Sequence, residues 1–170
     1  VSSRCASAVR AIVALGNPYR TDDGVGIALL RRLRVIRDAS RATGEGTTCH
    51  ASPVTRHEIE LLEGVYDGLR LAEAIAGYEE VLVVDAAPWL PAGEVLRFDL
   101  GDLPARAGYL HGLGLRAALE ALAMAGERVP TVEILAIGIP GDPPFGEGLS
   151  PAVEGALPVA LEEAIRWLNE

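Results

Sequence analysis

The sequence predicts a single α/β domain whose sheet is mostly parallel, is covered by helices on both faces, and includes one antiparallel strand. Three observations carry that expectation. The 170 residues suit one compact domain. Short apolar runs bounded by turn residues alternate with stretches of helical spacing, the pattern of a parallel sheet built from crossover units. One strand-like run follows its predecessor after a link too short for a crossover, so it must run antiparallel.

The elements follow in order. Residues 9–15 are an apolar run ending at Gly16-Asn17-Pro18, which reads as a buried strand and a turn. After Asp22-Asp23-Gly24, residues 25–36 place apolar side chains at helical spacing with arginines between them. Residues 39–52 are polar and rich in Gly and Thr, a loop composition. Residues 58–62 alternate as a second strand, and residues 69–76 form a short helix stopped at Gly77. Residues 80–85, EEVLVVD without its first Glu, form a buried strand closed by Asp85, and Pro88 and Pro91 break the chain after it. Residues 93–98 are the antiparallel strand. Residues 111–125 are a helix, and residues 131–139 are the last strand. Residues 140–149 are rich in Pro and Gly. Ser150-Pro151 then has the form of an N-cap with proline at the first helical position, opening a final helix to about Leu168. No repeat or linker interrupts residues 1–170, so one domain is expected.

Composition narrows the function. The formal net charge is −9 and the sequence pI is about 4.8, which repels nucleic-acid phosphates and anionic lipid. No nucleic-acid or membrane partner is expected. The two cysteines, Cys5 and Cys49, match no zinc or redox spacing, which suits free thiols in the cytoplasm. The N-terminal residues carry Arg4 and Arg10 around a short apolar run that leads into a turn, and they read as a first strand and not as a signal peptide.

In sheets of this kind ligands bind outside the carboxyl ends of the strands. Asp23 follows the first strand and Asp85 ends the third. His111 starts a helix. Each also has a structural reading: Asp22 or Asp23 as a helix cap, Asp85 as a turn cap, His111 as a packed side chain. Together, two Asp and one His form a donor set for a zinc-like or nickel-like divalent ion rather than for calcium. The glycines around Asn17 could suggest a phosphate loop. They lack the P-loop lysine and the dinucleotide spacing, and the paired aspartates would repel phosphate. No G-x-S-x-G is present, and no Cys has a plausible base beside it. His50 and His57 have no comparable context.

Four ordered segments resemble one family, the hydrogenase maturation peptidases. ALGNPYRTDDGVGIALLRRL is similar to their G-N-x-x-x-x-D-[DE]-G-x-G opening. YEEVLVVDAAPWLPAGEVLRFD resembles their strand–Asp–Ala segment followed by Pro-Gly-x-[VI]. HGLGLRAALEALAMAG resembles their His-x-x-Gly-Leu helix, and ILAIGIPGDPPFGEGLSPAVEGALPVALEEAI resembles their G-x-G-L-S-P-x-V ending. The resemblance runs from about Ile12 to the final helix.

The resemblance implies a five-stranded, mostly parallel twisted sheet. It also implies an endopeptidase that removes a C-terminal extension from the nickel–iron hydrogenase large-subunit precursor after nickel insertion, cutting beside a basic residue. The metal-contacting and catalytic residues it implies are Asp23, Asp85 and His111, reaching the precursor's nickel, with a zinc-like ion as a surrogate. Some members carry Glu where this chain has the shorter Asp23. The family's class is ambiguous between metallo- and aspartic-type (aspartyl) proteases. Many members have D-G-G-[TS]-A-G after the second strand. This chain has Glu63, Gly64, Val65, Tyr66, Asp67 and Gly68 there, and that loop is expected to recognise substrate through Glu63, Gly64, Tyr66 and Asp67. The precursor is the expected partner, and a monomer is expected. Two other classes answer to parts of the same sequence. A non-proteolytic metal-binding accessory protein or chaperone would use the same ligands, and a flavodoxin-like nucleotide or flavin module would use the same topology.

Overall fold

The computed structural model describes residues 10–42, 59–103 and 112–170. Cys5, Cys49, His50, His57 and His111 lie outside them. The elements are β1 (Arg10–Leu15), α1 (Val25–Ala42), β2 (Ile59–Gly64), α2 (Gly68–Ile75), β3 (Glu80–Ala87), β4 (Val95–Asp99), α3 (Gly112–Met124), β5 (Thr131–Gly138) and α4 (Pro151–Asn169). They build one five-stranded sheet in the order β2-β1-β3-β5-β4. Four strands are parallel, and β4 pairs antiparallel with β5.

Period-two alternation divides the core between the two faces of the sheet. Ile12 and Ala14 of β1, Leu82 and Val84 of β3, and Leu135 and Ile137 of β5 pack with α1 and α4. Ala11 and Val13, Val81 and Val83, and Ile134 and Ala136 pack with α2 and α3. The chain leaves β1 toward β2 on one side and returns past β1 to β3 on the other. Strand order therefore reverses between β1 and β3, and the crevice at such a reversal is where open α/β sheets place ligands.

Several features differ from those expected. Helix α1 continues through Ala42, because DASRA contains no breaker and the helix already has a face on the sheet. Strand β2 includes Glu63 and Gly64, which pair with Ala14 and Leu15, so the loop behind it is only residues 65–67. Strand β3 runs two residues past Asp85, since Ala86 and Ala87 still find Ile137 and Gly138 on β5.

Strand β4 has the expected direction but not the neighbour a short link suggests. The link from β3 to β4 crosses the end of β5, which inserts between them. The crossing needs Gly138, where a Cβ would run into the Pro91 carbonyl, and it is closed by Gly93 N–H to Gly138 O (2.9 Å) and Gly138 N–H to Glu94 O (2.8 Å). Finally, Ser150 occupies the N-cap position of α4, but its hydroxyl makes no capping hydrogen bond.

Candidate active site

Asp23 sits in a 3-10 turn, Thr21–Gly24, that joins β1 to α1. Asn17 organises that turn from both ends. Its side-chain carbonyl accepts from the Tyr19 N–H at 3.0 Å, and its own N–H donates to Asp23 Oδ2 at 2.9 Å. Helix α1 begins at Val25, so neither aspartate stands at its N-cap position; both lie in the first turn of the 3-10 segment that leads into it. The turn is also tied to the loop after β5. Thr21 N–H donates to Gly146 O and Gly146 N–H to Tyr19 O, each at 2.9 Å, and Arg20 pairs with Asp142 at 2.6 Å. Thr21 has φ +40°, a conformation a β-branched residue adopts only when its surroundings impose it.

The start of α1 then lies directly on two strand ends. A Cβ on Gly26 would stand 2.7 Å from Leu15 O and 2.8 Å from Val84 O. That contact brings the Asp23 turn over the β1/β3 crevice.

Asp85 is on β3, opposite Ala136 of β5, and shares its face with Val81 and Val83, the face covered by α2 and α3. It is 4% exposed. Its Oδ1 accepts from the Ala86 N–H at 2.9 Å. Burial pushes its carboxyl up to about 8; the Ala86 N–H opposes this, and the charge of Asp23 adds to it. A residue of the turn after β1 and a residue of β3 thus share one electrostatic site at the carboxyl edge, and Asp85 holds its proton at neutral pH.

Asp22, read from the sequence only as a possible helix cap, has a different structural task. It and Asp85 are the buried charged side chains among the described residues. Its Oδ1 accepts from the Ser150 N–H at 2.6 Å, so it fastens the Asp23 turn to the start of α4. The Ser150 hydroxyl beside it is buried without a partner. Asp-Asp before a helix shows that one of the two has a structural task, but not which one.

Residues 63–68 follow at the carboxyl end of β2, next to that of β1. Glu63 pairs with Arg34 at 2.9 Å. Asp67 is the N-cap of α2 and accepts from the Arg70 N–H at 2.8 Å. Tyr66 packs by its ring against Gly64 and the α2/α3 face. Gly68 meets the Gly114 backbone so closely that no side chain fits, which seats the first turn of α3 against that of α2. Val65 and Leu69 stay exposed. Among the described residues no group of three His, Cys, Asp or Glu side chains gathers as a metal site, and His111 is outside them. No helix of the described residues is long and apolar enough to cross a membrane.

Solved structures share this architecture. The hydrogenase maturating endopeptidase HybD from Escherichia coli superposes with a TM-score of 0.70 at 22% identity, covering 94% of this chain and 91% of that one. HybD, a [NiFe] hydrogenase maturation protease from Thermococcus kodakarensis, gives 0.61 at 23% identity, covering 94% and 98%. HycI, a [NiFe] hydrogenase maturation protease from the same organism, gives 0.61 at 20%, covering 97% and 95%. At these identities the likeness speaks for the fold alone. No curated protein sequence matches the chain. The sequence model of a family, HycI, hydrogenase maturation protease, matches residues 47–167, well over half of the chain. The chain therefore belongs to the hydrogenase maturation protease family and is a peptidase.

Proposed function

We propose that this peptidase removes the C-terminal extension of a nickel–iron hydrogenase large-subunit precursor, and that Asp23 and Asp85, joined by His111, contact the nickel the precursor carries. The observation that carries the reading is the Asp23–Asp85 pair at the strand-order reversal, with Asp85 buried and protonated at neutral pH. The low-dielectric site and the charge of Asp23 keep a proton on Asp85, and a cation presented by a substrate takes that proton's place beside the two carboxylates. A precursor without its metal offers no such cation, so the pair would discriminate loaded from empty precursor. Placement of the scissile bond beside the pair supplies the acceleration due to orientation.

One observation favours an aspartic-type division of labour for the hydrolysis itself. A buried carboxyl that keeps its proton is a source of general acid. Asp85 gives up its proton as it takes the nickel, and that proton is suited to pass to the scissile carbonyl oxygen as water attacks. Glu63, Gly64, Tyr66 and Asp67 form the wall over which the precursor tail would pass, with Val65 and Leu69 offering apolar contact.

Mass spectrometry of the nickel-loaded precursor, before and after incubation with the protein, tests this. The wild type should shorten the precursor, and Asp23→Asn and Asp85→Asn should each slow the cut at least about a hundredfold. A wild type that leaves the mass unchanged, or an Asp85→Asn protein that still cuts at full rate, overturns the reading. The accessory-protein alternative expects binding of the precursor with no change of mass.

A further inference from the structure

On the far side of the Asp23 turn the surface opens into a cavity of about 390 Å³. Neither Asp23 nor Asp85 lines it, but Thr21 and Gly24, on either side of the aspartates, do. The cavity and the carboxylate pair are therefore two faces of one turn. Its apolar lining includes Ile27, Leu149 and Tyr19, and Arg31 and Glu147 line it as well. The volume is within the range of ~300–1,000 Å³ typical of ligand pockets. Its walls are preformed, because the Tyr19–Thr21 segment and Gly146 are joined by the two hydrogen bonds already described.

Arg31 distinguishes this cavity from an ordinary surface dent. Among the arginines whose side chains are described, every other one has a carboxylate within ion-pair distance: Arg10, Arg20, Arg32, Arg34, Arg37, Arg70, Arg97, Arg116, Arg128 and Arg166. In a chain of net charge −9, acidic partners are plentiful. The neighbouring Arg32 takes Glu154, while Arg31 keeps its guanidinium unpaired at the cavity. An exposed guanidinium with no acidic partner among the described residues, beside a cavity of mixed apolar and polar lining, is complementary to a carboxylate that follows an apolar side chain.

We propose that this cavity is a subsite for the precursor's tail, seating one apolar side chain and binding an adjacent carboxylate through Arg31. This rests on the reading of the chain as a precursor-processing peptidase. Glu147 gives the subsite direction, since it repels the carboxylate and attracts a main-chain N–H or a basic group. The carboxylate is either an acidic side chain or the chain terminus, and both present the same chemistry to Arg31.

The test uses the whole chain, labelled with nitrogen-15, and three acetylated glycine-based peptides. One contains Leu-Glu with an amidated end, one contains Leu-Gln with an amidated end, and one ends at Leu with a free carboxylate. At least one carboxylate peptide should shift the amide signals of Ile27, Arg31 and Leu149 and bind at least about fivefold more tightly than the Leu-Gln peptide. Whichever carboxylate peptide binds more tightly identifies the source. Arg31→Ala should abolish the preference and raise KM for nickel-loaded precursor about fivefold, with a smaller change in kcat. Signals elsewhere in the protein shifting instead, or a preference unchanged in Arg31→Ala, overturns the subsite. A wild type that cuts precursor while Arg31→Ala keeps its KM also overturns it and leaves the peptidase reading standing. A wild type that binds the carboxylate peptides through Arg31 yet never cuts precursor overturns the peptidase reading instead.

Discussion

The turn after β1 and the loop after β2 lie side by side at the same edge of the sheet, yet they are held in opposite ways. The first is fixed by contacts from distant parts of the chain: Asn17 to Asp23, Asp22 to Ser150, Thr21 to Gly146, and Gly26 against the ends of β1 and β3. The second is held by near neighbours. Asp67 caps its own helix, Tyr66 folds over Gly64, and Val65 projects into solvent. Catalytic groups must be placed within a fraction of an ångström, whereas a wall that contacts a variable tail need not be. Under the proposed function, that difference in tethering matches those two tasks.

That contrast can be broken or sharpened by measurement, and the largest effect belongs to Asp85 at the tightly held side. Its folded-state pKa of about 8 lies above the ordinary value of 3.8, so the folded protein holds a proton that the unfolded chain has released across that interval. Stability should therefore fall as pH rises between those values, by on the order of 4 kcal/mol from pH 5 to pH 8 through this group alone. Urea midpoints of the metal-free protein should show that slope, and Asp85→Asn should flatten it while stabilising the protein at pH 8. A slope unchanged in the variant would mean that the cost resides elsewhere.

Gly26→Ala comes next. Both atoms that a methyl would meet are backbone carbonyls, so the helix start must move, at about 3 kcal/mol or more in denaturant titration. Gly64→Ala, on the loosely held side, meets only the Tyr66 ring, which can swing away, and should cost less than about 1 kcal/mol. Equal losses at the two glycines would erase the distinction. Asp22→Ala leaves the Ser150 N–H without its acceptor and should cost about 2 kcal/mol, with precursor processing reduced because the Asp23 turn loses its anchor. Asp67→Ala removes a helix cap and an exposed ion pair with Arg70 and should cost about 1 kcal/mol, with hydrogen exchange quickened in the first turn of α2 and not in β1.

Much of this was legible in the sequence because it depends on local pattern. The apolar runs of β1, β3 and β5 are long and uninterrupted, and each appears as a strand. The placement of Asp23 and Asp85 at one edge follows from chain direction alone in a parallel sheet. What escaped depends on contacts between distant residues. Asp22 and Asp23 are chemically identical neighbours, and only the approach of Ser150, far along the chain, assigns one to anchoring. Arg31 looks like any other arginine on an amphipathic helix until its neighbours are seen to have partners and it does not. The two extra residues of β3 were hidden because Ala86 and Ala87 carry little pattern of their own and are held by pairing with β5.

The crossing of the β3–β4 link over Gly138 also has a consequence for the order of assembly. Among the described residues strand β4 pairs with β5 and not with β3, and β5 begins at Thr131. As the chain emerges from the ribosome, β4 must wait through the whole of α3 before anything can pair with it, and β5 must then slide between two strands made before it. Pairings of this kind close a long loop before any contact compensates for the lost entropy. The antiparallel edge should therefore be absent from the folding transition state, so substitutions in β4, such as Phe98→Leu, should hasten unfolding while leaving the folding rate nearly unchanged.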